Sequence, residues 1–147
     1  MEKLYGNDEF NYLMHLVTDK DVFGYDASLA VIAADVGGTN IRIGAISPDG
    51  KVIEKFSRKT FHSAGPSEFV RSISEMAREL IDSRLKGFKV VGFAAAFPAV
   101  LDIGSGVVTE SPNLPFLNDY PLRAQFSNCF DVPVVVENDA TAAAVTP

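Results

Sequence analysis

The sequence predicts an α/β fold on a mixed sheet with helices on both faces, and three observations carry that prediction. Three β-like runs, residues 29–34, 41–47 and 52–59, follow one another with only short turns between them. An amphipathic stretch opening at Gly65-Pro66 is followed by a small-residue apolar run at 89–95. A second pairing of the same kind, 121–128 then 132–136, repeats the alternation. Antiparallel strands accept tight turns whereas parallel strands need a crossover, so the first three runs form a meander and the later ones are helix-connected.

Each element has its own reason. Residues 29–34 are continuously apolar, as suits a strand buried on both faces. Residues 41–47 alternate, which puts Ile41, Ile43 and Ala45 on one side. Pro48-Asp49-Gly50 is a turn, and the more polar run 52–59 belongs at or near an edge. In the helix, Phe69, Ile73, Met76 and Leu80, flanked by Val70, Ala77 and Ile81, make a broad apolar face that Gly87 closes. "KVVGFAA" is a fourth strand and "VPVVV" a fifth. Residues 97–119, rich in proline and carrying Gly104-Ser105-Gly106, read as loop or short hairpin, and residues 140–144 open another helix. The order β-β-β-α-β-α-β-(α) describes a ribonuclease H-like lobe of the actin/hexokinase ATPase type.

Composition narrows the function. A chain of 147 residues, 47% apolar and 22% charged, supports one domain with one core. The net charge of −6 argues against a nucleic-acid surface, and Arg71, Arg78, Arg84 and Lys86 are spread along a helix rather than clustered. The one cysteine, Cys129, leaves no intramolecular disulfide to form and fits a reducing compartment. No signal-peptide core and no membrane-length apolar run occur, so a cytoplasmic protein without membrane contact is expected. Residues 1–28 stand apart as a helical extension to a main unit at 29–147: Phe10, Leu13, Met14 and Val17 form one stripe after Asn7 or Asp8 as cap.

Two stretches carry chemistry. In "AADVGGTNIRIGAI", residues 33–46, Gly37 and Gly38 allow left-handed or extended backbone and let neighbouring N–H groups converge on an anion. Thr39 and Asn40 add a hydroxyl and an amide. Asp35 would be repelled by phosphate directly, so its useful role is through a divalent cation or its waters. A plain Gly-Gly hairpin with an incidental aspartate is the competing reading. In "VVVENDATAAA", residues 134–144, Asn138 and Asp139 lie between a strand and a helix, where ligands of open sheets gather. Asp139 suits a proton acceptor and Asn138 a sugar-hydroxyl partner, with helix capping as the competing role for Asp139.

These stretches, with "PAVLDIGSGVVTESPNLPFL" between them, resemble in order the segments of bacterial glucokinases and the ROK family (repressors, open reading frames, sugar kinases) over residues 30–147. The resemblance implies ATP- and Mg2+-dependent phosphorylation of glucose or a related hexose. It makes Asp139 the catalytic base, Asn138 its neighbouring sugar ligand, Gly37, Gly38, Thr39 and Asn40 the ATP-phosphate turn, and Asp35 a residue near the metal. Ala99 stands where the family usually has a glycine whose backbone meets the sugar, and its extra methyl puts that contact in question. Asn113, in the Asn-Leu-Pro loop, is a weaker sugar-site candidate or a turn former. The family's Glu-x-Gly-His, zinc and adenosine-binding segments lie downstream of the Asn-Asp pair and are not in this sequence, and His15 and His62 are not placed to replace them. The chain therefore reads as an N-terminal lobe, inactive alone, whose partner is a C-terminal lobe or a second copy in a homodimer. A sugar-responsive regulator without catalysis, or an interaction module, is the alternative the family offers.

Overall fold

In the computed structural model, which describes residues 28–60 and 65–139, local sequence preference and burial agree from the first strand onward. β1 (Leu29–Val36) is buried along its whole length. Its alternation splits the core: Ala30, Ile32, Ala34 and Val36 join one apolar cluster, while Leu29, Val31 and Ala33 join the other. β2 (Asn40–Ile46) and β3 (Val52–Lys59) complete the meander, each antiparallel to its predecessor. After α1 (Pro66–Arg84) comes β4 (Lys89–Phe97). A small hairpin of β5 (Val100–Leu101) and β6 (Val108–Glu110) follows, then a 3-10 turn at Pro115–Leu117, α2 (Leu122–Ser127) and β7 (Val134–Asn138).

The main sheet is five-stranded in the order β3-β2-β1-β4-β7, and β1, β4 and β7 run parallel. β3 takes the edge that its polar composition suits, and Arg58–Glu79 and Arg84–Glu54 ion pairs fasten it to α1. Both described helices bury their apolar faces in the same cluster, α1 through Phe69, Ile73, Met76 and Leu80 and α2 through Leu122 and Phe126. Handedness explains this. The crossovers from β3 to β4 and from β4 to β7 step across the sheet in the same direction, so right-handed connections fall on one face. The expected helix opening at 140, the stripe in residues 1–28, His15 and His62 lie outside the described residues. No described helix is long and apolar enough to cross a membrane.

Two strands differ from their expected bounds. β4 continues to Phe97, and β7 begins at Val134 rather than 132 and reaches Asn138. Pro133 has no N–H for the ladder, although its carbonyl accepts from Phe93 N at 3.0 Å. At the other end, the pairings Ala96↔Glu137 and Phe97↔Asn138 extend both strands together. Phe93 stacks on Phe126 and Phe130, with ring centroids 5.3 and 4.5 Å away, which seats α2 beneath β4.

The segment after β4 is pinned at several points. Ser111 Oγ donates to the Pro98 carbonyl at 3.0 Å, and Ser111 N donates to Asn118 Oδ1 at 2.8 Å. Arg123 of α2 donates to the carbonyls of Ile103 and Gly104 at 3.0 and 2.9 Å. That guanidinium passes over Gly106, where φ is 71° and a Cβ would lie 2.5 Å from Arg123 Cβ. Both conformation and space demand glycine there.

Candidate active site

The carboxyl ends of β1, β4 and β7 lie side by side, and every residue singled out in the sequence stands at or just beyond that end of the sheet or in the loop packed on it. Cross-strand register sets the rows: Asp35 pairs with Arg42 on one side and Ala96 on the other, and Ala96 pairs with Glu137. Asp35 is 8% exposed. Its Oδ2 receives Arg42 Nη2 at 2.9 Å, with the arginine side chain half exposed. The pair exists because β1 and β2 are antiparallel with these residues directly opposite, on the face away from Ile41 and Ile43.

The turn between β1 and β2 is held by residues from both sides. Gly37 N donates to the Asn40 carbonyl at 2.9 Å. Thr60, just past β3, donates its N–H to the Thr39 carbonyl at 2.9 Å and its hydroxyl to the Gly37 carbonyl at 2.8 Å. Neither Gly37 nor Gly38 occupies the left-handed region, which corrects one reason given for the glycines. At Gly37 close approach supplies the requirement instead. A Cβ on Gly37 would stand 3.0 Å from the Asn40 carbonyl oxygen, and one on Gly38 would stand 3.4 Å from Asn113 Cβ. Asp35, Gly37, Gly38, Thr39, Asn40, Arg42 and Ser57 line an open depression of about 570 Å3.

The other candidates form a second group. Asn138 ends β7 and donates from Nδ2 to the Ala99 carbonyl, bridging β7 to the segment after β4. Ala99 is 2% exposed and belongs to the apolar core, so its methyl lies among core side chains. Asp139 follows directly and is half buried. Asn113 is exposed and touches the turn through Gly38. The phosphate-turn candidates thus share one depression, Asn113 leans on that turn, and Ala99 and Asn138 pair with each other. Asn113, Ala99, Asn138 and Asp139 do not line the depression.

Sequence reasoning passed over Arg42, Ser57 and Thr60. The alternation that turns Ile41 and Ile43 inward sends Arg42 to the opposite face, and the tight turn then sets it across from Asp35, so this signal was readable. Thr60 lies outside any motif and reaches the turn only because β3 returns beside β2.

The residues suit a phosphate ligand: a turn with no side chain at Gly37 and Gly38, a hydroxyl on Thr39, an amide on Asn40 and a guanidinium on Arg42. Among the described residues no group of three or more His, Cys, Asp or Glu side chains could hold a metal ion. One carboxylate beside phosphate donors fits Mg2+, which keeps much of its water and binds through one or two carboxylates plus substrate phosphates.

Comparison with known proteins adds an independent line. The ROK family pattern matches residues 31–146. A glucokinase of Thermotoga maritima is 32% identical over 114 residues, covering 78% of this chain and 35% of the relative. Among solved structures, a ROK family glucokinase from Streptomyces griseus in complex with glucose and AMPPNP superposes with a TM-score of 0.63 at 27% identity, covering 78% of this chain and 35% of that one. A ROK family transcriptional regulator, a homologue of the E. coli MLC protein, superposes with a TM-score of 0.67 at 16% identity over 76% of this chain and 28% of that one, which reflects the shared fold. The chain spans about a third of the length of the curated relatives it matches, 35% of the Thermotoga protein.

Proposed function

This chain belongs to the ROK family, and from that premise we propose that it forms the N-terminal lobe of an ATP-dependent hexose kinase of glucokinase type. The observation that carries the proposal is the grouping at one sheet end: the Asp35–Asn40 turn beyond β1, the Ala99 segment beyond β4, and Asn138-Asp139 at the end of β7. Adjacent strands are about 4.8 Å apart, so the axes of β1 and β7, separated by β4, lie about 10 Å apart. That spacing suits a phosphoryl donor on one side and a sugar hydroxyl on the other.

In this reading Asp139 accepts the proton of the attacking sugar hydroxyl as that oxygen bonds to the terminal phosphorus of ATP, and the bond from that phosphorus to the bridging oxygen breaks, with ADP as the leaving group. Asn138 uses one amide N–H to hold the Ala99 carbonyl, which fixes the orientation in which its side chain meets a sugar. The turn amides, Thr39 and Asn40 receive the phosphate chain of ATP, and Asn113 steadies the turn from outside. Mg2+, when bound near Asp35, neutralises charge on the phosphate oxygens. The partner required is the remainder of the kinase cleft, because alignment and exclusion of water supply much of the rate.

The test is a coupled ADP-release assay with glucose, N-acetylglucosamine and N-acetylmannosamine. It is run on the 147-residue chain alone and after mixing with a separately produced C-terminal lobe of a related ROK kinase. Sugar-dependent turnover that appears on mixing and disappears with Asp139→Asn supports the proposal. Sugar binding that persists without turnover in any combination favours the regulatory alternative, whose fold this chain shares.

A further inference from the structure

We propose that the stripe Phe10, Leu13, Met14 and Val17 docks on the face of the sheet opposite α1 and α2, so that the extension ahead of β1 is a built-in cover for that face. The docking is independent of the phosphate turn and of the proposed reaction.

The sheet has two apolar faces, and the described helices serve one of them. α1, α2 and the segment after β4 all send their buried side chains into the first cluster. The second cluster is made of strand residues alone, from Leu29 and Val31 of β1 to Ala94 and Ala96 of β4, and no described helix or loop residue belongs to it. Yet Val31, Ala33, Ala94 and Ala96 are each no more than 2% exposed. A bare face would leave a central valine open to water, so the cover has to come from chain outside the described residues.

Three stretches lie outside them. Residues 61–64 are spent joining β3 to α1. Residues 140–147 leave from the carboxyl end of β7, reach about 12 Å as a helix, and hold no apolar side chain larger than Val145. Residues 1–27 hold four large apolar side chains at the i, i+3, i+4, i+7 spacing of one helix face. Their tether is long enough, because residues 18–28 span up to about 36 Å whereas β1 is about 26 Å long.

The face also has a floor that suits such a stripe. One row across four strands reads Gly44, Ala33, Ala94, Val135. The glycine and the two alanines put little bulk there, so large side chains of a cover fill the space at the density of a protein interior. A second copy of the sheet would set small residues against small ones and leave both stripes in water.

The test is NMR on the 147-residue chain with labelled Ala, Leu, Met and Val methyls, alone and mixed with an unlabelled copy, so that contacts within one chain are told from contacts between two. Nuclear Overhauser contacts within one chain are expected from the Leu13, Met14 and Val17 methyls to those of Ala33 and Ala94. Contacts to Ala33 and Ala94 from residues 140–145 instead, contacts found only between copies, or none from the stripe overturn the proposal. Leu13→Asp is expected to raise binding of an apolar-surface dye about fivefold, whereas His15→Asp, turned away from the stripe, leaves it at the wild-type level. Equal dye binding by the two variants overturns the docking. If Leu13→Asp does not fold, the wild-type methyl contacts carry the test.

Discussion

Asn113 leans on the turn at Gly38, so that a Cβ built on that glycine would stand 3.4 Å from the asparagine Cβ, whereas one built on Gly37 would stand 3.0 Å from the Asn40 carbonyl oxygen. The two glycines are therefore not equivalent. At Gly38 the neighbour is a side chain at ordinary contact distance. At Gly37 it is backbone that a hydrogen bond already fixes.

Gly37→Ala is expected to destabilise the chain by about 1–3 kcal/mol, since the added methyl meets a carbonyl that cannot swing away. Gly38→Ala is expected to cost less than about 1 kcal/mol and to weaken tripolyphosphate binding less than about threefold, because its methyl faces Asn113, which does not line the depression. Thermal melts and calorimetry on both variants check this. Equal stability losses in the two variants would refute the distinction.

Asp139→Asn keeps size and capping capacity while removing the proton acceptor. In the complemented enzyme, turnover should fall about 10²–10⁴-fold with sugar affinity retained. Near-normal turnover would remove Asp139 from the chemistry.

Gly106→Ala should cost about 1–3 kcal/mol, because φ is 71° and the new Cβ would lie 2.5 Å from Arg123 Cβ. Pairing it with Arg123→Gly removes the colliding Cβ but not the backbone strain, so the double variant should lose less than the two single losses added. Denaturant melts of all three variants measure this coupling. Strict additivity would mean that the hairpin moves away from α2.

Asp102 accepts hydrogen bonds from the Ser105 hydroxyl and amide, which hold its carboxyl below the ordinary carboxylate value. Because the folded pKa is the lower one, the contribution is present above the unfolded value, about 3.9, and is lost as pH falls through the folded value. The β5–β6 hairpin should therefore loosen only as pH falls below the ordinary carboxylate value. A carboxyl-detected NMR titration of Asp102, read beside hydrogen exchange of the Gly106 amide that donates to the Asp102 carbonyl at 2.7 Å, follows both events. An Asp102 midpoint at or above the ordinary value would contradict the assignment.

The strands were legible wherever one rule dominated. Residues 29–34 are apolar without a break, and β1 is buried throughout; Ile41, Ile43 and Ala45 alternate, and all three enter the core. Bounds were lost where a partner strand decided them. Nothing local marks Phe97 or Asn138 as strand, but pairing with each other adds ladder bonds that neither segment could make alone. Thr60 is the extreme case, a threonine outside any motif that clamps the turn through two hydrogen bonds.

The sequence by itself determined the order of elements, the edge position of β3 and the residue types gathered at the turn and at Asn138-Asp139. Periodicity, turn chemistry and motif spacing are local, and the chain expresses them without reference to distant partners. The tertiary structure alone decided that Thr60 clamps the turn, that Asn138 spends an amide on Ala99, and that Gly38 faces Asn113. Those pairings join residues brought together by strand register and loop packing. They depend on which strand lies next to which, and that is settled only when the whole sheet closes over its core.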